Sequence, residues 1–275
     1  MHPGSAADRR KHAIGERFMS QVSRRVFLLS SAAALSVGCA MRRPGADAAA
    51  PLAQNVRQPV VGQSWRYEKR DILTHAVVDD QLDRVATVDH SVEIGSSYQT
   101  SNDENAGKSH WGTALLRKYL GHRESAAGTL PSEIQDPWGM VAVDPHWGQV
   151  QVYETPIPLW PTQLRPGWQT RITTKYKTPA NQDGLAWNQT MKAHAWEKIS
   201  VPAGQFTALR YTNEIQFRSA DFSRTDSIRH ETLWFAPEVG RWIARESNGS
   251  YYLDDSFVDT PYDEGGFRWE LLEWS

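Results

Sequence analysis

The sequence predicts a mainly β protein, an antiparallel meander with at most one or two short helices. Three observations carry this. From Ser64 onward the hydrophobic pattern has a period of two rather than 3.6. Turn signals recur at short intervals between the alternating runs. The segments between them are rich in Thr, Ile and aromatics, as strands are, and the chain holds 12 Trp among its 275 residues.

Taken in order, residues 83–94 alternate as one strand. Val85, Thr87, Asp89, Ser91 and Glu93 fall on one face, and Ala86, Val88, His90, Val92 and Ile94 on the other. Trp111, Leu115, Leu116, Tyr119 and Leu120 fall on helical spacing with Gly121 as a cap, the one stretch that suggests a helix. Residues 155–167 contain Pro156, Pro158, Pro161 and Pro166, which predicts a poor strand and a linker across one edge. Trp168 to Lys177 reads as a strand, followed by the turn cluster Thr-Pro-Ala-Asn-Gln-Asp-Gly184. Further strands are expected near 185–199, 205–218, 224–236, 241–253 and 266–274. Val201-Pro-Ala-Gly204 and Pro237-Glu-Val-Gly240 each place Pro and Gly as a type I turn does.

The first forty residues read as an address. Ser23-Arg24-Arg25-Val26-Phe27-Leu28 resembles the twin-arginine export motif, and the uncharged run that follows is too short to span a bilayer. It ends in Leu35-Ser36-Val37-Gly38-Cys39, which resembles a lipobox. Cys39 is the only Cys in the chain; this excludes an internal disulfide and any multi-Cys metal site. The expected organisation is a signal peptide over 1–38, a flexible lipidated tether over 39–58 and an antiparallel β domain over 59–275. Met19, close before Ser23, offers an alternative start. Ala40, where Asp would favour retention in the inner membrane, points by resemblance to proteobacterial lipoproteins to the periplasmic face of the outer membrane. A soluble periplasmic protein is the alternative.

Removing residues 1–38 takes away six of the 30 basic residues and two of the 32 acidic ones, which leaves 24 against 30, a net charge of −6. A mildly acidic surface gives no reason to expect nucleic acid as a partner. The partners to expect are a membrane, reached through the lipid, and a hydrophobic ligand or an envelope protein.

Trp196, Val201-Pro-Ala-Gly-Gln-Phe206-Thr-Ala-Leu-Arg-Tyr211, Leu233-Trp-Phe-Ala-Pro-Glu-Val-Gly-Arg-Trp242 and Arg268-Trp-Glu-Leu-Leu272 together resemble uncharacterised bacterial envelope proteins of the TapB-like kind. The resemblance covers residues 160–275 well and 59–100 loosely. It implies a single curved antiparallel sheet or half-barrel, like those of lipoprotein-carrier proteins, and carries almost no activity.

Motifs for chemistry are scarce. The chain has no G-x-S-x-G, H-E-x-x-H, Walker loop or G-x-G-x-x-G. Its mature histidines (75, 90, 110, 122, 146, 194 and 230) never fall at the i,i+2 or i,i+4 spacing that zinc sites favour. No cofactor is implied, and the expectation is a protein that is not an enzyme, with an envelope assembly role or a hydrolase as alternatives. His230-Glu231 suggests a base with an orienting partner, but neighbours on a strand point to opposite faces. Asp254, Asp255, Asp259, Asp263 and Glu264, beside Gly265-Gly266, form an acidic loop that either holds a cation or is simply solvated. Each buried aromatic contributes about 4–6 kcal/mol of gross transfer energy, so most Trp are expected to fill the sheet. Trp138, Trp147 and Trp160 lie in or beside loops and are the candidates for a ligand or partner rim.

Overall fold

The computed structural model describes residues 45–46, 56–100, 132–147, 149–254 and 260–275. The described residues contain no helix and thirteen strands: β1 (Gly45–Ala46), β2 (Ser64–Asp71), β3 (Val77–Val88), β4 (Val92–Thr100), β5 (Glu133–Gln135), β6 (Met140–Asp144), β7 (Gln151–Pro158), β8 (Gln169–Thr178), β9 (Asn181–Val201), β10 (Gly204–Arg218), β11 (Arg224–Ala236), β12 (Arg241–Leu253) and β13 (Tyr262–Trp274). The export motif, Cys39 and the helix expected at 111–120 lie outside the described residues.

Every neighbour is antiparallel, and the sheet is not open. β8 pairs with β9, and β13 pairs with β2 from Phe267↔Asp71 to Trp274↔Trp65. Strands β2 to β13 therefore form a closed twelve-stranded barrel, where an open curved sheet or half-barrel was expected. The first strand pair, loosely matched in sequence, supplies the missing wall. Register shifts at Leu271/Glu273, Arg210/Tyr211 and Trp234/Phe235 give the local bends that closure needs. β9 runs for 21 residues, but β8 covers it only as far as Lys192; β1 pairs with the uncovered stretch at Glu197 and Lys198.

Two local expectations are corrected. Residues 83–94 are not one strand: Asp89 N–H bonds Ser91 C=O, and the chain reverses between β3 and β4. The turn changes the parity, so Val85, Val92 and Ile94 all face inward. Pro156 and Pro158 lie inside β7 rather than in a linker. The β7–β8 ladder is confined to Val152 and Tyr153, so these prolines remove no bond from it.

On the outer face β9 and β10 present Asn188, Thr190, Lys192, Thr212, Glu214 and Gln216, the reverse of the apolar band that a membrane-spanning barrel shows to lipid. The inside is filled in two regions. The main core holds Trp65, Trp160, Trp168, Trp196, Phe206, Leu209, Trp234, Phe235, Trp242 and Leu271. It sits at the end formed by the 89–91, 136–139, 159–168, 202–203 and 237–240 connections. The chain reaches the barrel at this same end, where Val56 packs on the core and Arg57 N–H bonds Pro237 C=O at 2.8 Å. Gly240 is required there: its φ is +73°, and a Cβ would stand 2.4 Å from Arg57 O. A second cluster of Tyr153, Tyr176, Trp187, Ile215 and Phe217 fills part of the opposite, loop-bearing end.

Candidate functional site: a charged network inside the barrel

Between the two apolar regions the lumen is crossed by ionised side chains from five elements. Alternation on β3 and β4 turns Asp83 and Ser96 inward as a cross-strand pair. Glu133 comes from β5, Asp144 from the end of β6, and His146 from the loop two residues later. Arg241 opens β12 on the far wall and reaches across. Its guanidinium lies 3.1 Å from Asp83 Oδ2 and 3.4 Å from Glu133 Oε1, over the Trp65 ring at 5.0 Å. His146 Nδ1 is 2.8 Å from Asp144 Oδ1 and 3.6 Å from Glu133 Oε2, and its Nε2 is 3.2 Å from Ser96 Oγ. Trp147 Nε1 donates to Asp144 Oδ2 at 2.8 Å.

Serine, histidine and aspartate in one hydrogen-bonded line resemble a nucleophilic triad. The proton positions argue against that use. Ser96 is 2% exposed and its hydroxyl donates to Asp83 Oδ1 at 2.7 Å, so His146 Nε2 must donate to Ser96 rather than accept from it. Burial works against a charged His146, yet Asp144, Glu133 and Asp83 together push it up to about 9. Burial would raise the Asp144 carboxyl, but its bonds to His146 bring it below the usual range. Glu133 is raised by burial, against Arg241 and His146. An imidazolium whose two N–H groups are both engaged is a poor base at neutral pH. The cluster pairs two cations with three carboxylates and fixes five elements to each other.

Toward the loop-bearing end a second set of charges faces inward. Arg245 pairs with Glu231, which also accepts from Asn213. Arg224 and Arg229 share Glu264 at 3.1 and 2.9 Å, and Arg229 lies over Trp147 at 4.2 Å. Lys69 lies over Phe267 and Trp269, with its Nζ 4.1 and 4.9 Å from the ring centroids.

The residues singled out from sequence are dispersed. Trp160 is 3% exposed, its ring 5.1 Å from Phe235. It covers Gly139, where a Cβ would come within 2.3 Å. Trp138 is half-buried against the same core, while Trp147 packs on Trp187 and Phe217 in the second cluster. The three therefore make no common rim. In the acidic loop, Asp255 and Asp259 lie outside the described residues, Asp263 Oδ1 accepts from Gly265 N–H, and Glu264 turns inward to its two arginines. That pairing removes Glu264 from any cation set. Among the described residues no three His, Cys, Asp or Glu are placed to hold a metal. His230 is exposed and Glu231 buried, as alternation requires. The charged network was not anticipated. Its one sequence signal is Asp144-Pro-His146, where the Asp side chain can turn back on the residue two ahead.

No family model matches the chain, and no curated protein sequence matches it. Solved structures are similar to it, two of them as follows. One is a candidate lipoprotein from Parabacteroides distasonis, with 12% identity, a TM-score of 0.41, and coverage of 78% of this chain and 96% of that one. The other is a candidate exported protein with YmcC-like fold from Bacteroides fragilis, with 10% identity, a TM-score of 0.44 and the same coverage.

Proposed function

We propose that this is an exported, lipid-anchored envelope protein, held by Cys39 at the periplasmic face of the outer membrane, which works without catalysis by presenting the loop-bearing end of a rigid barrel to a protein partner. The observation that carries this reading is the contrast between the ends. The end that receives the N-terminal segment is closed by the Trp core, with Val60 and Val61 exposed beside it. At the opposite end, among the described residues, Phe222 is 87% exposed and Leu73 is 76% exposed, with Ile72 in the same turn as Leu73 and Tyr262 at the start of β13 also exposed. Val60 and Val61 lie where the tether enters, whereas the opposite end exposes a phenyl ring and a leucine in two different connections, which supports a contact surface there. A hydrophobic ligand has less support, because charged groups cross the lumen where an apolar cavity would be needed. The inverted proton arrangement at Ser96 and His146 supports the non-enzymatic reading.

Photocrosslinking in intact cells tests this. A benzophenone side chain at position 222 or 73 is expected to give an adduct with one envelope protein, and the same probe at Lys192 on the outer wall is expected to give none. Equal adducts at all three positions, or none, would overturn the proposal. For the anchor, Cys39→Ser is expected to move the protein from the membrane fraction to the soluble periplasm.

A further inference from the structure

One inward-facing cation stands apart from its neighbours. Arg224, Arg229 and Arg245 are each paired with a carboxylate. Lys69 makes no hydrogen bond or ion pair with any described residue; its contacts are the faces of Phe267 and Trp269. It is half-buried near the loop-bearing end of β2, two residues before Asp71. Directly opposite in the β2–β3 register stands Asp79, whose side chain also faces inward. The other charged groups that face this amine are Arg229 from β11 and Arg245 from β12, both cationic.

We propose that Lys69 is a carbonyl-reactive amine, a modification site that captures small aldehydes as an imine with Asp79 as the proton carrier. Lys69 and Asp79 face each other across the β2–β3 pair without an ion pair between them. The amine is not tied up in a salt bridge, so its lone pair can reach the carbonyl carbon once a proton leaves. Asp79 takes one proton from the ammonium and gives it to the carbonyl oxygen as the nitrogen adds, then takes a second from the nitrogen, which gives a carbinolamine. A second proton from the carboxyl lets the hydroxyl leave as water. Overall an ammonium and an aldehyde give an iminium and water, with no change of oxidation state. The product keeps one positive charge between Phe267 and Trp269, so the ring contacts that hold the ammonium also hold the adduct.

The titration behaviour agrees with this geometry. Burial, with Arg229 and Arg245 adding to it and Asp79 opposing it, lowers Lys69 to about 8. Burial raises Asp79 to about 6, where Lys69 only partly offsets it. A desolvated lysine near other cations is one recognised form of activated amine nucleophile, and a carboxyl near 6 exchanges protons readily at neutral pH.

The test uses the intact protein with glycolaldehyde and cyanoborohydride, which traps the imine, followed by peptide mass mapping at pH 7.5. Lys69 is expected to be labelled about tenfold faster than the exposed Lys175, Lys192 and Lys198, because far more of it is neutral at that pH. Its rate should rise with a midpoint near 8, while the exposed lysines should still be rising at 10. Labelling of Lys69 at or below the rate of the three exposed lysines would overturn the proposal. In Asp79→Asn the amine loses the one carboxylate that opposes it among the described residues, so a purely electrostatic role predicts faster labelling. Proton carriage predicts slower labelling at pH 7.5. An unchanged or faster rate would remove Asp79 from the proposal.

Discussion

The two ends of this barrel solve the problem of a wide lumen in different ways. A twelve-stranded ring leaves more interior space than a small barrel does. At the tether end that space is taken by indole and phenyl rings. Tyr67 stacks on Trp242 at 3.9 Å and Trp160 lies against Phe235. Toward the loop-bearing end it is taken largely by ion pairs, with aromatic rings beneath several of the cations. Apolar packing loses stability in proportion to the atoms removed. A buried ionic network fails in a different manner, because removing one member leaves another charged and unpaired.

The largest effect should come from Arg241→Ala, which strands Asp83 and Glu133 without a counter-charge in the lumen; a loss of about 3–5 kcal/mol in urea unfolding is expected. A loss below about 1 kcal/mol would show that water reaches the cluster and that the two regions differ less than described. The pH dependence comes next. His146 is raised in the folded state from 6.5 to about 9, so its contribution is fully present below 6.5 and is lost as pH rises through 9. Lys69, lowered to about 8, acts in the opposite direction above that pH. The clean measurement is therefore the stability difference between wild type and His146→Gln, which should shrink between pH 6 and pH 9.5. A graded loss is expected at the tether end, where Ile199→Val should cost about 1 kcal/mol by the same assay. The smallest effect belongs to Phe222→Ser, within about 0.5 kcal/mol of wild type, while the crosslink expected at that end should be lost from a probe at position 73.

The strands were legible because alternation and turn chemistry act locally. Val201-Pro-Ala-Gly204 and Pro237-Glu-Val-Gly240 separate β9 from β10 and β11 from β12 where expected. Closure was not legible. Whether β13 meets β2 depends on accumulated twist and on register shifts, and neither leaves a mark in a single strand's pattern. The turn at 89–91 was hidden for a related reason: Asp89, His90 and Ser91 continue the alternation in which β3 ends. The charged network was invisible because its members come from positions 83, 96, 133, 144, 146 and 241, and inward-facing charges break the rule that polar residues mark the solvent face. Trp160 misled for the opposite reason. Its loop folds back over Gly139, so an indole in a connection becomes part of the core.

The seam between β2 and β13 has a temporal meaning. Arg66 donates to Glu273, a separation of 207 in sequence, and Phe267 to Trp274 supply the whole of β2's second ladder. During synthesis the strands from β2 onward can pair with their neighbours as they appear, but the ring stays open until residues 262–274 have left the ribosome. Until that moment β2 is an unpaired edge that other chains could join. A nascent chain of this protein therefore carries that edge until β13 has emerged, and closing the barrel is a single event that comes last among the strand pairings.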